Sequence, residues 1–425
     1  MSARSLQDWL EFIERQHPQP IALGLGRVRE VLGRLGTCFT CPAFTVAGTN
    51  GKGSTTAMLE SILRAAGYRV GMYTSPHLLH YGERVRILGR EADDAALCEA
   101  FAAVEQARGQ VPLTYFEFGT LAAAWLFARE RLDAVVLEVG LGGRLDAVNV
   151  FDADCAVLTS VALDHVDYLG DSRESIGCEK AGIFRPAKPA VVVDPEPPAG
   201  ALAEARRIGA QLLLLGQDFG YVDEGATQWS YWGPSGRRSG LAHPALRGGI
   251  QLRNASGALA ALDAMRAALP VGMQDIRRGL ANVTLAGRFQ VIPGRPQIVL
   301  DVAHNPEAAA VLAQNLAASG YSPQTIAVFA MLRDKDIAGV ARALAPRITH
   351  WHVAGLGGAR GASAEQVAVA AAAGGVTAPV QRHANPAAAL AAAQSEAGEN
   401  DKIVVFGSFL TVAEAIAMLD PRTHG

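Results

Sequence analysis

The sequence predicts an α/β protein, and two observations carry that expectation. Short apolar, β-rich runs at 44–47, 134–139, 156–159, 190–193, 298–300, 327–330 and 403–406 alternate with longer helical patterns. Runs that are apolar throughout, rather than at every second position, suit strands buried on both faces, so the expected sheet is parallel and flanked by helices. The second observation is length: 425 residues, half of them apolar and 19% charged, exceed one ordinary core. A prior of roughly 150 residues per domain gives two or three domains, and two is the working number.

Taken in order, the run 44–47 leads into a glycine loop and then a helical pattern through Met58, Leu59, Ile62 and Leu63. The run 134–139 carries an acid, Glu138, and the run 156–159 leads into a polar segment containing His165. After 190–193 come three prolines, Pro195, Pro197 and Pro198, and then a stretch at 221–249 rich in Gly, Ser, Trp and Tyr. That stretch reads as a small antiparallel insert with turns. Pro293-Gly294-Arg295-Pro296 is the second break, after which a strand begins at Gln297 and the alternation restarts. The expected domains are therefore 1–290 and 297–425. Ala-rich helices such as 386–394 follow from helix propensity alone.

A net charge of −3 argues against a protein that coats nucleic acid or an anionic membrane, so small molecules are the expected partners. Five scattered cysteines, Cys38, Cys41, Cys98, Cys155 and Cys178, make no disulfide framework, and the single CxxC has no second ligand pair at zinc spacing. No run of about 18 apolar residues occurs and the first residues carry no signal-peptide core, so a soluble, cytoplasmic protein is expected.

The segment Gly48-Thr49-Asn50-Gly51-Lys52-Gly53-Ser54 lies between a strand and a helix, the context that makes a phosphate loop credible. Its glycines permit close backbone approach, the helix N-terminus faces anions, Lys52 adds positive charge, and Ser54 or Thr55 offers a hydroxyl to magnesium. The strict GxxxxGK[ST] pattern is not met, because Val46 replaces the first glycine and Gly53 separates Lys52 from Ser54. The plain alternative is an ordinary glycine turn. Ser75, Glu138 and His165 stand at or after strand ends and add hydroxyl, carboxylate and imidazole groups, a set compatible with magnesium. Lys180 by itself reads as a solvated helix lysine.

Taken together, these segments resemble the Mur ligase superfamily, and within it the folylpolyglutamate synthase and dihydrofolate synthase family. The matching stretches also include Ser75-Pro76-His77-Leu78, residues 114–120, 138–149, 163–170 and 179–183, Gly287-Arg288-Phe289 and Asp301-Val302-Ala303-His304-Asn305-Pro306. The irregular phosphate loop is that family's own version. The resemblance implies a P-loop ATPase domain, a smaller Rossmann-like domain facing glutamate, and an ATP-dependent amide ligase working through an acyl phosphate. It implies that residues 48–54 hold ATP, and that Ser54, Ser75, Glu138, His165 and a carbamylated Lys180 surround two magnesium ions, with Lys52, Lys180 and His165 catalytic. Asn254, Arg288 and Asp301 match nucleotide contacts. Ala22, Leu23, Thr114, Tyr115, Phe116, Glu117, Leu145, Asp146 and Ala147 match pterin-binding positions, with Phe116 and Glu117 expected to stack on and hydrogen-bond a flat heterocycle. His304 and Ser408 match positions near the incoming glutamate. Ala22 departs from the family's frequent Asp.

The expected reaction joins L-glutamate to dihydropteroate and adds further glutamates to reduced folates, in a monomer. Its alternatives are a folylpolyglutamate synthase alone, a non-catalytic nucleotide switch, or a cell-wall Mur-type amino-acid ligase. The last needs a nucleotide-sugar domain of about 100 residues ahead of the phosphate loop, whereas the loop here starts at Gly48.

Overall fold

Residues 4–225 and 227–419 are described by the structure, a computed structural model; positions 1–3 and 420–425 of the expected domains lie outside them. The chain divides into two compact units. The first runs to Ala245 and resumes over Gln251–Val283, and the second takes Leu246–Ile250 and the chain from Thr284 onward. The short excursion at Leu246–Ile250 contains the pair Gly248-Gly249, at the end of the glycine-rich stretch, and was not expected as a crossing between units.

The first unit is built on an eight-stranded sheet in the order Arg90–Glu91, Val85–Ile87, Val70–Tyr73, Ala134–Glu138, Ala43–Ala47, Cys155–Leu158, Pro189–Val192, Gln211–Leu214. From Val70–Tyr73 to Gln211–Leu214 all pairings are parallel, and the two short edge strands are antiparallel. Ala43–Ala47, Ala134–Glu138 and Cys155–Leu158 are buried at every position, which is why their sequences are continuously apolar instead of alternating. The 221–249 stretch contains a separate antiparallel sheet of Gly220–Asp223, Gln228–Gly233 and Gly236–Ala242, anchored by a buried pairing of Arg238 with Asp263 at 2.5 Å.

Helices cover the parallel sheet on both faces. Tyr115–Arg129 opens on a capping box between Thr114 and Glu117, satisfying backbone N–H groups that have no partner within the helix. Lys52–Ala65 begins directly after the glycine loop and buries Met58, Leu59, Ile62 and Leu63, each contributing about 1.5–3 kcal/mol by leaving water. Against it lies Met273–Asn282, so close that the Gly279 carbonyl accepts from the Ser61 hydroxyl at 2.7 Å.

The second unit has a six-stranded sheet ordered Gln290–Ile292, Gln297–Asp301, Lys402–Phe406, Thr325–Phe329, His350–Ala354, Val380–His383, with only the first strand antiparallel. Its core gathers Phe329, Trp351 and Phe406, with the Phe329 and Phe406 rings stacked at 4.8 Å. Pro386–Glu396 starts with an Asn385 cap and Pro386 in the first turn, where a missing N–H costs nothing. Among the described residues no helix is long and apolar enough to cross a membrane.

A methyl group at Gly279 would lie 2.5 Å from Ile62 Cα and 2.8 Å from Ile62 N. Gly279→Ala therefore has to push the two helices apart, and we expect it to lower stability by about 1–3 kcal/mol. An unchanged urea midpoint would show that the close approach is not needed.

Candidate active site

In the first unit the chain leaves Ala43–Ala47 for a strand on one side of Ala134–Glu138, then later returns to the opposite side at Cys155–Leu158. Strand order thus reverses around Ala43–Ala47, the place where open α/β sheets bind ligands beyond their carboxyl ends. Val46 is opposite Glu138 and Ala47 opposite Leu158, so the glycine loop, Glu138 and the Thr159-Ser160 segment emerge side by side. The loop is tied to that neighbour. Thr49 N donates to Ser160 O at 2.7 Å, Asn50 N to Ser160 Oγ at 3.1 Å, Thr159 Oγ1 to Asn50 O at 2.7 Å, and Ala162 N to Thr49 Oγ1 at 3.0 Å.

Two glycines are obligatory here. Gly48 has φ 152° and a Cβ there would run into Thr159 Oγ1; Gly51 has φ 88° and a Cβ would sit 2.7 Å from Asn254 Oδ1. Only glycine accepts both the backbone angles and the crowding. Gly53 and Ser54 then fall in the first turn of Lys52–Ala65, whose N–H groups suit an anion.

Lys52 and Lys180 meet at one oxygen: Lys52 Nζ donates to Gly48 O at 3.0 Å and to Thr49 O at 3.2 Å, and Lys180 Nζ donates to Gly48 O at 3.0 Å. Lys180 is only 4% exposed, which overturns its reading as a solvated helix lysine. Burial, and then the Lys52 charge, bring its pKa down to about 7. Backbone packing holds it there. Gly143 abuts the end of Arg173–Ala181, where a Cβ would lie 2.6 Å from Lys180 O, and Arg144 N donates to Glu179 O at 2.9 Å.

Glu138 is buried and accepts from the Thr74 hydroxyl and, at 3.4 Å, from Ser75 N. Ser54 is buried, as are the next two residues, Thr55 and Thr56, whose hydroxyl oxygens have no hydrogen-bond partner. His165 stands in a left-handed conformation, φ 51°, at the start of the short helix Val166–Leu169, with Nε2 3.8 Å from Asp164 Oδ2. Two ammonium groups, a buried carboxylate and orphaned hydroxyls fit a polyphosphate with a divalent cation. Among the described residues no group of three or more His, Cys, Asp and Glu could hold a metal, so an ion here would need hydroxyl and phosphate oxygens as well.

The segments expected to bind a pterin come together through backbone and charge. Gly24 N donates to Leu145 O at 3.1 Å, joining the Ala22-Leu23 loop to the Leu145-Asp146-Ala147 turn. Asp146 is buried and accepts from Leu141 N and Val148 N, each at 2.9 Å; burial raises its pKa to about 7. The Phe116 ring packs against Gly140, which has no room for a Cβ, and lies 5.8 Å from the Tyr73 ring. Tyr115 packs edge-on to Tyr81 at 5.8 Å.

Glu117 departs from expectation. Its carboxylate takes Arg27 NH2 at 2.8 Å and Arg27 Nε at 3.1 Å, and also accepts from Thr114 N at 2.8 Å. Arg27 additionally donates to Ala22 O at 2.6 Å. The carboxylate is thus engaged in fixing the Ala22 loop to the helix start, a task that needs a buried charge paired. Arg27 carries no local sequence signal, because its partner lies 90 residues away; Thr159 and Ser160 had one, being hydroxyl residues directly after a strand.

Asn254 lies on Ile250–Ala264 and donates from Nδ2 to Gln251 Oε1 at 2.9 Å, leaving Oδ1 toward Gly51. In the second unit, Asp301 ends its strand and accepts from Phe289 N at 2.9 Å and Ala303 N at 2.8 Å; burial raises its pKa. The Arg288 guanidinium lies 5.1 Å from the Phe409 ring, and the His304 ring 6.2 Å from it. Ser408 is buried, and its hydroxyl accepts from Leu410 N at 3.2 Å. Arg288, Asp301, His304 and Ser408 therefore cluster at the carboxyl ends of the adjacent strands Gln297–Asp301 and Lys402–Phe406.

Residues 46–218 match the Mur ligase middle domain, and residues 287–409 match the Mur ligase, glutamate ligase domain. The dihydrofolate synthase/folylpolyglutamate synthase of Escherichia coli (strain K12) is 46% identical over 427 residues, covering 100% of this chain and 98% of that protein. The protein of the same name from Haemophilus influenzae is 40% identical, with 98% of each covered. A solved structure of E. coli FolC in complex with DHPP and ADP superposes with a TM-score of 0.93 at 46% identity, covering 99% of each chain. A bifunctional folylpolyglutamate synthase/dihydrofolate synthase with Mn, AMPPNP and L-glutamate bound gives 0.90 at 46% identity, covering 98% of each. With both Mur ligase modules in order and near-complete coverage by such relatives, the chain belongs to the dihydrofolate synthase/folylpolyglutamate synthase family of Mur-type ligases.

Proposed function

We propose that this chain is an ATP-dependent ligase that joins L-glutamate to 7,8-dihydropteroate and adds further glutamates to tetrahydrofolates. The observation that carries the reading is the convergence of Lys52 and Lys180 on Gly48 O at the point of strand reversal. Relatives named for both activities, and their structures with DHPP, ADP, AMPPNP and L-glutamate, support it.

In this reading the substrate carboxylate attacks the γ-phosphorus, a carboxyl-oxygen–phosphorus bond forms, and ADP departs with the electrons of the broken bond. The glutamate amine then attacks the acyl carbon, phosphate leaves, and the amine gives up a proton. The amides of Gly48, Gly51, Gly53 and Ser54 hold the phosphates, Thr49 and Asn50 shape the loop with their own amides engaged by Ser160, and the Lys52 ammonium neutralises charge on the transferring group. Asn254, Arg288 and Asp301 contact the nucleotide. Ala22, Leu23, Thr114, Tyr115, Phe116, Leu145, Asp146 and Ala147 line the pterin position, with Glu117 bracing it through Arg27, and His304 and Ser408 receive glutamate. The ATP-binding domain is residues 1–245 with 251–283, and the glutamate-ligase domain is residues 284–425 with 246–250, so the boundary lies ahead of the Pro293–Pro296 break at which the sequence alone puts it. The enzyme works in the cytoplasm as a monomer.

Ser54, Ser75, Glu138, His165 and Lys180 hold magnesium, two ions in all, and magnesium supplies charge neutralisation and Lewis acidity when bound. An ammonium cannot ligate a cation, so Lys180 takes up carbon dioxide: neutral Nζ attacks the carbon, a C=O π pair moves to oxygen, and a proton is released. A pKa near 7 leaves much of the amine neutral at physiological pH, which favours that step.

The test of the function is purified protein with ATP, magnesium and glutamate, given dihydropteroate or tetrahydrofolate. Glutamate-dependent phosphate release is expected with both. Release with tetrahydrofolate alone would make it a polyglutamate synthase only, and release with neither would end the ligase reading. Lys180→Ala is expected to lower turnover on the order of 100-fold or more, with partial recovery in added short carboxylates, read from steady-state rates. Full activity of that variant would remove Lys180 from the metal site.

A further inference from the structure

Arg84 is the feature of the first unit that the proposed chemistry leaves unused. It is 9% exposed and ends the single turn Tyr81–Arg84. Buried arginines are ordinarily paired with acids. Arg108, equally buried, meets Glu105 at 2.5 Å, and Arg238 meets Asp263 at the same distance. Arg84 has no carboxylate partner among the described residues. Its Nε donates to His77 Nδ1 at 2.8 Å, and its guanidinium carbon lies 5.3 Å from the ring centroids of both Tyr81 and Tyr115.

The two tyrosine faces stabilise the cation, but they leave the fork of terminal N–H donors without hydrogen-bond acceptors from the protein. That fork matches a carboxylate in shape and charge. The position is telling. Thr74 N donates to Arg84 O at 2.9 Å, fixing Arg84 beside the Thr74 hydroxyl that reaches Glu138, and His77 follows Ser75 by two residues. On the other side Tyr115 belongs to the helix start that carries Phe116. The cation thus stands between the segment read as metal-binding and the segment read as pterin-binding, where a folate-type substrate has to present its carboxylate.

We propose that Arg84 is a binding residue for a carboxylate of the folate-type substrate, with the Tyr81 and Tyr115 rings holding its guanidinium in place; this rests on the proposed function. The carboxylate is either the reacting group itself, the one that takes the phosphoryl group, or, in substrates that already carry glutamate, the spectator carboxylate of the glutamyl tail. In either case the acid missing from the protein arrives with the ligand.

The experiment compares binding of dihydropteroate and its neutral carboxamide to wild type, Arg84→Gln and Arg84→Met, by calorimetry with ADP present, alongside KM values for dihydropteroate, tetrahydrofolate and ATP. Met keeps the stem against the tyrosines if Gln folds poorly, and thermal unfolding identifies which variant is folded. The wild type is expected to prefer the acid over the amide by about 10- to 100-fold. A folded variant without the charge loses that preference, or raises KM for tetrahydrofolate by a similar factor, while KM for ATP stays within about twofold. Loss of the acid preference assigns the reacting carboxylate; a rise confined to tetrahydrofolate assigns the tail. A folded variant with wild-type preference and unchanged KM values overturns the proposal. Failure of the wild type to turn over either substrate overturns the ligase reading separately, because the binding comparison needs no turnover.

Discussion

The carbonyl oxygen of Gly48 receives two ammonium groups, from Lys52 four residues on and from Lys180 far along the chain. Like charges brought to one oxygen repel, and in a buried setting the repulsion is poorly screened. Much of the first unit serves to hold that arrangement. Gly48 lacks the Cβ that would strike Thr159, the Thr159-Ser160 segment hydrogen-bonds the loop, and Gly143 lets the chain press against the carbonyl end of the Lys180 helix. Burial first, and the Lys52 charge after it, disfavour the ammonium form of Lys180 and bring its pKa down to about 7. Two lysine side chains converging on one carbonyl oxygen beside a helix N-terminus make a place suited to anionic oxygens such as those of a phosphate.

The pterin side is organised by a different rule. There a charge pair is closed within the protein: Arg27 takes both oxygens of Glu117 and the carbonyl of Ala22. The loop that contains Ala22 is held through its backbone carbonyl and not through a side chain. Arg27 thus has its acid within the protein, while Arg84, close to Tyr115 and His77, has none among the described residues. Structural and ligand-facing arginines are told apart by their partners, not by their burial.

Much of the fold was legible in the residues. The apolar runs at 44–47, 134–139 and 403–406 fall within or next to Ala43–Ala47, Ala134–Glu138 and Lys402–Phe406, since a strand buried on both faces must be apolar throughout. The antiparallel insert at 221–249 was marked by its turn residues, and its three strands lie within or next to that stretch. Val70–Tyr73 and His350–Ala354 were passed over, being short runs interrupted by Gly71 and by His350 and His352. The excursion of Leu246–Ile250 into the second unit was not read from the sequence, because Gly248-Gly249 marks a turn there without saying which unit the segment joins.

For the site, the sequence by itself determined the glycine loop, the acid in a strand and the family, because each rests on residues adjacent in the chain. What only the tertiary structure decided is which distant groups meet. Lys180 reads as an ordinary surface lysine until Gly143 and Arg144 pack against its helix end, and Glu117 reads as a ligand for a heterocycle until Arg27 closes on it from 90 residues away. Charge in a protein interior is governed by its nearest partners, and nearness across long chain separations is set by packing, which no local pattern encodes.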